Sequence, residues 1–263
     1  MSMLENSRRI VVKVGTSTLT HATGALNIRR IGMLVQVLSD FKNAGKEIVL
    51  VSSGAVSAGV AKVGAARPSS IAEKQAMAAI GQSELMRLYD QLFSLYGHTV
   101  AQVLLTGSDI ADEARRAHFE NTMRRLLELS ALPIINENDT VATDEIVIGD
   151  NDTLAGVVAT VIHADLLVLL SDIDGLYTAD PRTDKSARRI EVVEALTPEI
   201  MALGGGSGSS LGTGGMMTKL RAAQRVTEAG IDMVIANGDD PMLLYDILDG
   251  KAVGTLFKGK GRA

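Results

Sequence analysis

The sequence predicts an α/β protein with a mainly parallel central sheet sandwiched by helices, built as one domain over residues 1–263. Short β-branched runs alternate with amphipathic segments along the whole chain, which is typical of this class. The 263 residues are 46% hydrophobic, enough for one large core. The Gly/Ser-rich segment 203–215 has linker composition, but too little chain follows it for a second domain, so we expect a mobile loop.

Six strands are predicted where an apolar run ends at a glycine or a polar turn. They are RIVVKVG (9–15), EIVLVSSG (47–54), TVAQVLL (99–105), LPIINEND (132–139), DLLVLLSDIDG (165–175) and DMVIANG (232–238).

Helices are predicted between these strands from apolar residues at helical spacing. Asn27 can cap the first of them and Gly45 can end it, while Pro241 suits the first turn of the last. The predicted ranges are 27–45, 70–96, 109–131, 149–164, 214–229 and 241–250.

Composition argues against several functions. The net charge is −5, and no face concentrates basic residues, so we expect no nucleic-acid partner. The apolar runs are too short to span a bilayer, and no signal peptide is visible at the start. There is no cysteine and the four histidines are scattered, so we expect a cytoplasmic protein without thiol chemistry, a His-based triad or a protein metal set.

Polar and glycine-containing turns follow most of the predicted strands, and ligands bind at this edge of parallel sheets. Lys13 lies one residue before the Gly15 turn, where it is either a surface residue or a ligand for an anion. The turn 52–54 can present N–H groups to an anion, although a tight turn that merely needs glycine explains it better.

The segment 136–152 concentrates amides and carboxylates around a short apolar hairpin. Such groups together can hold an ammonium group. Asp150 is better explained as a helix cap, and Asp152 can either cap the helix or serve the site. The cluster comprises Asn136, Glu137, Asn138, Asp139, Asp144, Glu145, Asp150, Asn151 and Asp152.

The stretch GTGGMMTK (212–219) enters a helix and ends on Lys219, but it lacks the Gly-Lys-Ser/Thr order of a Walker loop. Backbone N–H groups at a helix start, with a lysine nearby, favour a phosphate. The alternative is a flexible loop followed by a solvent-facing lysine.

Seven segments together resemble the amino-acid kinase family, in family order and over nearly the whole chain. They are VVKVGTSTLT, IVLVSSGAVSAG, INENDTVAT, GDNDTLA, LLSDIDGLYTADPR, GTGGMMTKLRAA and VGTLF. The resemblance is strongest to members that phosphorylate free glutamate. It implies a carbamate-kinase-like fold and transfer of the γ-phosphoryl group of ATP to the side-chain carboxylate of L-glutamate, the first step of proline synthesis.

The resemblance also implies site residues. Lys13 and Lys219 would contact phosphoryl oxygens, and Asp152 would hold them in position. Glutamate would be bound by Ser53, Asn136, Asp139 and Asn151. ATP would be bound, with Mg²⁺, by Lys13, Gly15, Ser171, Asp172, Thr213, Gly214, Gly215, Met216, Met217, Thr218 and Lys219.

Further expectations rest on the resemblance alone. Glutamate binding falls mainly in the N-terminal half and ATP binding mainly in 165–263. Many members carry an additional C-terminal PUA domain, which we do not expect here. A homo-oligomer and feedback inhibition by proline are implied. Alternative acceptors in the superfamily are N-acetylglutamate, carbamate, aspartate and UMP, and a further alternative is a ligand-binding regulator without turnover.

Overall fold

A computed structural model of the protein describes residues 4–142, 150–205 and 215–261. Its strands are β1 (Arg9–Val14), β2 (Glu47–Ser52), β3 (Val100–Leu105), β4 (Leu132–Glu137), β5 (Leu166–Ser171), β6 (Val192–Val193), β7 (Asp232–Asn237) and β8 (Thr255–Phe257). They form one sheet in the order β3-β4-β2-β1-β5-β7-β8-β6. All neighbours pair in parallel except β7 and β8. The predicted fold class is therefore confirmed.

Helices connect and cover these strands. They are α1 (Thr16–Leu19), α2 (Ile28–Asn43), α3 (Ala55–Val63), α4 (Ile71–Ser94), α5 (Gly107–Ala111), α6 (Glu113–Glu128), α7 (Asn151–Val161), α8 (Pro198–Ala202), a 3₁₀ helix (Leu203–Gly205), α9 (Met216–Glu228) and α10 (Leu243–Leu248). In the part of the chain that the structure describes, none of them is long and apolar enough to cross a bilayer.

The central sheet separates two apolar cores. Because side chains alternate along a strand, Val12 and Val14 of β1 face the core that α2 and α4 cover. Val11 faces the opposite core, which α7 and α9 cover. A strand buried on both faces needs apolar residues at successive positions, and this explains the β-branched run 10–12 that precedes Lys13 in β1.

The predicted ends of α2 are confirmed. The Asn27 side chain accepts a hydrogen bond from the backbone N–H of Arg30 at 3.1 Å, and Gly45 has a φ of 86°, a conformation that favours glycine.

Two helix predictions need correction. The helix expected over 109–131 is divided into α5 and α6, because Asp112 adopts an extended conformation and caps α6 through the N–H of Arg115. Asp forms such caps more readily than it continues a helix. Pro241 lies outside α10, since the Asp240 carboxylate accepts the N–H of Met242 and makes a turn around the proline.

Other elements were not predicted. β6 and β8 have too few residues for a periodic pattern, and the predicted loop 203–215 begins as the 3₁₀ helix. Residues 206–214 of that loop lie outside the described residues, as do residues 143–149, within the segment 136–152 that was predicted to contain a short apolar hairpin.

Helices α3 and α4 contact each other backbone to backbone. A Cβ atom on Gly59 would lie 1.9 Å from the carbonyl oxygen of Met77, and one on Gly81 would lie 1.8 Å from that of Ala55. Both distances are far below van der Waals contact, so only glycine permits this crossing. The crossing sets the position of α4 relative to the turn that follows β2.

Candidate active site

Two lysines and one aspartate meet beyond the carboxyl ends of the central strands. Lys13 Nζ lies 2.6 Å from Asp152 Oδ1, and Lys219 Nζ lies 2.9 Å from Asp152 Oδ2. The exposed fractions are 8% for Lys13, 3% for Lys219 and 1% for Asp152. The structure thus brings together three residues that come from β1, α7 and α9. The solvent-facing alternative for Lys219 is wrong.

Local structure explains this meeting. Lys13 shares a strand face with Val11, so its side chain points toward α7 and α9. These two helices pack closely at Gly156, where an added Cβ atom would lie 3.4 Å from Ala222 Cα. The crossing places the first turn of α7, with Asp152, against the first turn of α9, with Lys219.

The electrostatics keep the aspartate ionised. Burial alone would raise the pKa of Asp152, but the ammonium groups of Lys13 and Lys219 outweigh it and hold that pKa below its ordinary value. Thr218 Oγ1 adds a hydrogen bond to Asp152 Oδ2 at 3.3 Å. The three charged groups sum to one positive charge in a buried place, which favours an anionic ligand.

A network of amides and a hydroxyl lies at the same edge of the sheet. Asn151 Nδ2 lies 2.7 Å from Ser53 Oγ and 3.0 Å from Asn136 Oδ1. Asn136 Nδ2 donates in turn to Gln82 Oε1 at 2.9 Å. Three predicted glutamate-binding residues are therefore in direct contact. Gln82 was missed, since one polar residue in a long helix gives no signal of a site.

Asp139, the fourth predicted glutamate-binding residue, follows β4 in a loop. It is half-buried, and burial raises its pKa above the ordinary value. Within residues 4–142, 150–205 and 215–261 its carboxylate has no hydrogen-bond or ion-pair partner. An unpaired, partly desolvated carboxylate is suited to receiving a cation.

Two smaller predictions concern the turns at this edge. The Asp150 carboxylate accepts the N–H groups of Asp152 and Thr153 at 2.8 and 2.9 Å, which confirms that it caps α7. Gly54 has a φ of 94°, so backbone geometry accounts for the glycine after β2.

Those residues predicted for ATP that the structure describes lie at the ends of β1 and β5 and at the start of α9. A Cβ atom on Gly15 would approach Lys13 Nζ at 3.5 Å, so glycine leaves space beside that amine. Ser171 ends β5 and donates to Asp172 Oδ1 at 3.0 Å. Gly215 precedes α9, whose first turn contains Met216, Met217 and Thr218. Thr213, Gly214, Asp144 and Glu145 lie outside the described residues.

Comparison with known proteins decides the family. Residues 8–237 match the Amino acid kinase family. The chain belongs to this family. Glutamate 5-kinase of Clostridium perfringens is 50% identical over 98% of this chain and 97% of its own length. Glutamate 5-kinase of Moorella thermoacetica is 51% identical over 97% of this chain and 68% of its own length.

Solved structures with low sequence identity share the fold. Isopentenyl phosphate kinase of T. acidophilum, in a product complex, has a TM-score of 0.67 at 16% identity and covers 95% of this chain and 100% of its own. Carbamate kinase of Giardia lamblia, bound to AMP-PNP, has a TM-score of 0.69 at 17% identity and covers 97% and 100%. At these identities the likeness shows the architecture alone.

Proposed function

We propose that this chain transfers the γ-phosphoryl group of ATP to the side-chain carboxylate of L-glutamate, giving γ-glutamyl phosphate and ADP. The observation that carries the proposal is the Lys13–Asp152–Lys219 cluster, buried at the sheet edge beside the amide network. The identity of about half the residues with glutamate 5-kinases supports glutamate as the acceptor.

The chemistry asks for charge compensation rather than a base. A glutamate carboxylate oxygen attacks the γ-phosphorus, and the bond from that phosphorus to the β–γ bridging oxygen breaks. Because the acceptor is already ionised at neutral pH, no proton has to be removed. Acceptor and donor are both anionic, so Lys13 and Lys219 offset their repulsion as charge moves to the bridging oxygen.

Asp152 keeps the two ammonium groups in place before substrates arrive. An ammonium group has three N–H donors, so pairing with one Asp152 oxygen leaves Lys13 with donors for phosphoryl oxygens. This preorganisation spares the cost of moving the lysines during the reaction. Asp152 is accordingly a positioning residue, and the lysines are the catalytic residues.

Glutamate fits the neighbouring network by its charges. Asp139 offers a carboxylate for the substrate ammonium group. Asn136 and Ser53 offer hydrogen-bond donors for its carboxylates, whereas Asn151, whose Nδ2 already donates to Ser53 and Asn136, offers the acceptor Oδ1. An N-acetylated acceptor lacks the ammonium that Asp139 would pair with.

Mg²⁺ fits this site as a partner of the nucleotide. The described residues contain no group of three or more His, Cys, Asp or Glu that could hold a metal ion, and both Asp152 oxygens already face ammonium groups. Mg²⁺ commonly keeps few protein ligands and binds substrate phosphates. When bound there it would neutralise part of the triphosphate charge.

The test is ADP release by purified protein with MgATP and one acceptor at a time. L-Glutamate should give turnover, while N-acetylglutamate, carbamate, aspartate and UMP should not. Hydroxylamine should trap the acyl phosphate as a hydroxamate. Glutamate binding without ADP release would instead support the regulator without turnover.

Proline inhibition and a homo-oligomer remain proposals that rest on the family resemblance. Adding proline to the same assay tests the first, and light scattering of the purified protein tests the second. A rise in the apparent KM for glutamate with proline would indicate that the two ligands compete.

A further inference from the structure

Gln82 is a half-buried residue of α4 that contacts the amide network from the side. Its Oε1 accepts a hydrogen bond of 2.9 Å from Asn136 Nδ2, and Asn136 is 3% exposed. We infer that Gln82 is a positioning residue for glutamate, because it holds the Nδ2 end of the Asn136 amide while the Glu137 N–H holds the Oδ1 end. This inference rests on the proposed function and names one more residue of the same site.

The backbone N–H of Glu137 shows which atom of each amide in the network donates and which accepts. The N–H of Glu137 donates to the Asn136 side chain at 2.9 Å, and a backbone N–H can only donate. The facing atom of Asn136 is therefore Oδ1, and its Nδ2 points at Gln82. It follows that Gln82 presents its oxygen to Asn136, and that Asn151 presents its Nδ2 at 3.0 Å.

The resulting polarity suits a zwitterionic ligand. An amide nitrogen has two hydrogens, so Asn136 keeps one after its bond to Gln82. Gln82 Nε2 has no partner within the described residues, so the bond to Asn136 is the contact that ties the Gln82 amide to the network. In the same described part of the chain the buried Asn151 Oδ1 has no partner, and this acceptor suits an ammonium group.

Without Gln82, Asn136 would lose the acceptor that fixes its Nδ2. A buried amide hydrogen without a partner costs free energy, so the amide would rotate or attract water. Either change misdirects the remaining donor of Asn136. The expected consequence is weaker glutamate binding with little effect on ATP.

The position of α4 makes this role possible. At Gly81, next to Gln82, the backbone of α4 contacts the backbone of α3, and this contact leaves α4 little freedom to shift. Gln75 lies two turns earlier on the same helical face, and its Nε2 donates to the carbonyl oxygen of Ala142 at 3.2 Å. Thus α4 supports both the end of β4 and the loop that follows it.

The experiment compares Gln82→Met with Gln91→Met, a matched control on the exposed part of the same helix. Gln82→Met should raise the KM for glutamate about 10-fold, as expected for one lost hydrogen bond, with the KM for ATP and kcat within about 2-fold. Gln91→Met should leave all three unchanged. If the Gln82→Met protein has a lowered Tm, the same KM comparison is made with Gln82→Ala, because alanine is favourable in a helix.

A double-mutant cycle with Asn136→Ala separates positioning from independent binding. If Gln82 acts through Asn136, the substitution at 82 should change the glutamate KM less than about 2-fold in the Asn136→Ala background. The same factor in both backgrounds, or an unchanged KM in the single variant, overturns the inference. Failure of the proposed function is distinct, since the unmodified protein would then show no glutamate-dependent ADP release.

Discussion

Replacing Lys219 by methionine tests the buried lysine pair most directly. The side chain is 3% exposed, and its Nζ lies 2.9 Å from Asp152 Oδ2. Methionine keeps most of the length and the apolar stem but removes the charge. Asp152 retains Lys13 at 2.6 Å, so it does not become an isolated buried charge.

The expected loss of activity is large and the loss of stability moderate. Removing one preorganised charge from the transition state typically lowers kcat by about 10²–10³-fold. A lost hydrogen bond to a charged group costs about 1.5–3 kcal/mol of unfolding free energy, and each kcal/mol lowers Tm by about 2–4 °C in a larger domain. The protein should therefore remain folded at 25 °C while turnover nearly stops.

The assay measures glutamate-dependent ADP release at saturating substrates, with Tm from circular dichroism. Lys62→Met is the control, because Lys62 is 54% exposed and pairs with Glu84 outside the site. It should change kcat less than about 2-fold, as surface pairs contribute little. Turnover of Lys219→Met within about 3-fold of the unmodified protein would refute the reasoning from charge compensation.

Three further predictions follow from other contacts. Asp139→Asn should raise the glutamate KM. Because burial raises the pKa of Asp139 in the folded protein, ionising this carboxyl costs stability at neutral pH, so the variant should also have a higher Tm at pH 7 but not below pH 3.8. An unchanged Tm at pH 7 would argue against that burial. In urea titrations, Gly81→Ala should lower the unfolding free energy by about 1–3 kcal/mol, because the added methyl group meets a backbone carbonyl of α3. The control Gly32→Ala in α2 adds a methyl group that meets nothing within 4 Å, so its unfolding free energy should be unchanged or higher. Tyr89→Phe should lower the unfolding free energy by about 1 kcal/mol in the same titrations, because the buried Tyr89 OH lies 2.9 Å from Ser52 Oγ. Burial raises the pKa of Tyr89 to about 12, so the hydroxyl stays protonated at neutral pH, and equal stability of the variant would mean that this hydrogen bond contributes nothing.

The sequence predicted most of the sheet because its central strands are buried on both faces. A run such as LLVLL in β5 has to be apolar at every position, and this leaves a clear signal. β8 pairs over three residues and gives no such signal, although it forms the antiparallel pair of the sheet. The break at Asp112 was missed because its capping role depends on the local backbone rather than on periodicity.

The site could be predicted only in part. Local patterns left Lys13 and Lys219 open between surface and site, and the family resemblance rather than any spacing suggested that they act together. Their contact depends on the close crossing of α7 and α9, a tertiary feature with no counterpart in a short window of sequence. The contact between Gln82 and Asn136 depends likewise on the α3–α4 crossing, which sets the position of α4. The division into a glutamate-binding half and an ATP-binding half stays a prediction.

The sharing of one carboxylate between two distant segments also affects how the protein gains and loses activity. Lys13 comes from the first strand and Lys219 from a helix close to the end of the chain, and Asp152 lies between them in sequence. The charge cluster therefore exists only when all three segments have docked, whatever their individual secondary structure. A chain emerging from the ribosome cannot assemble it until α9 has been synthesised, so fragments that end earlier would be catalytically silent even when their strands have paired.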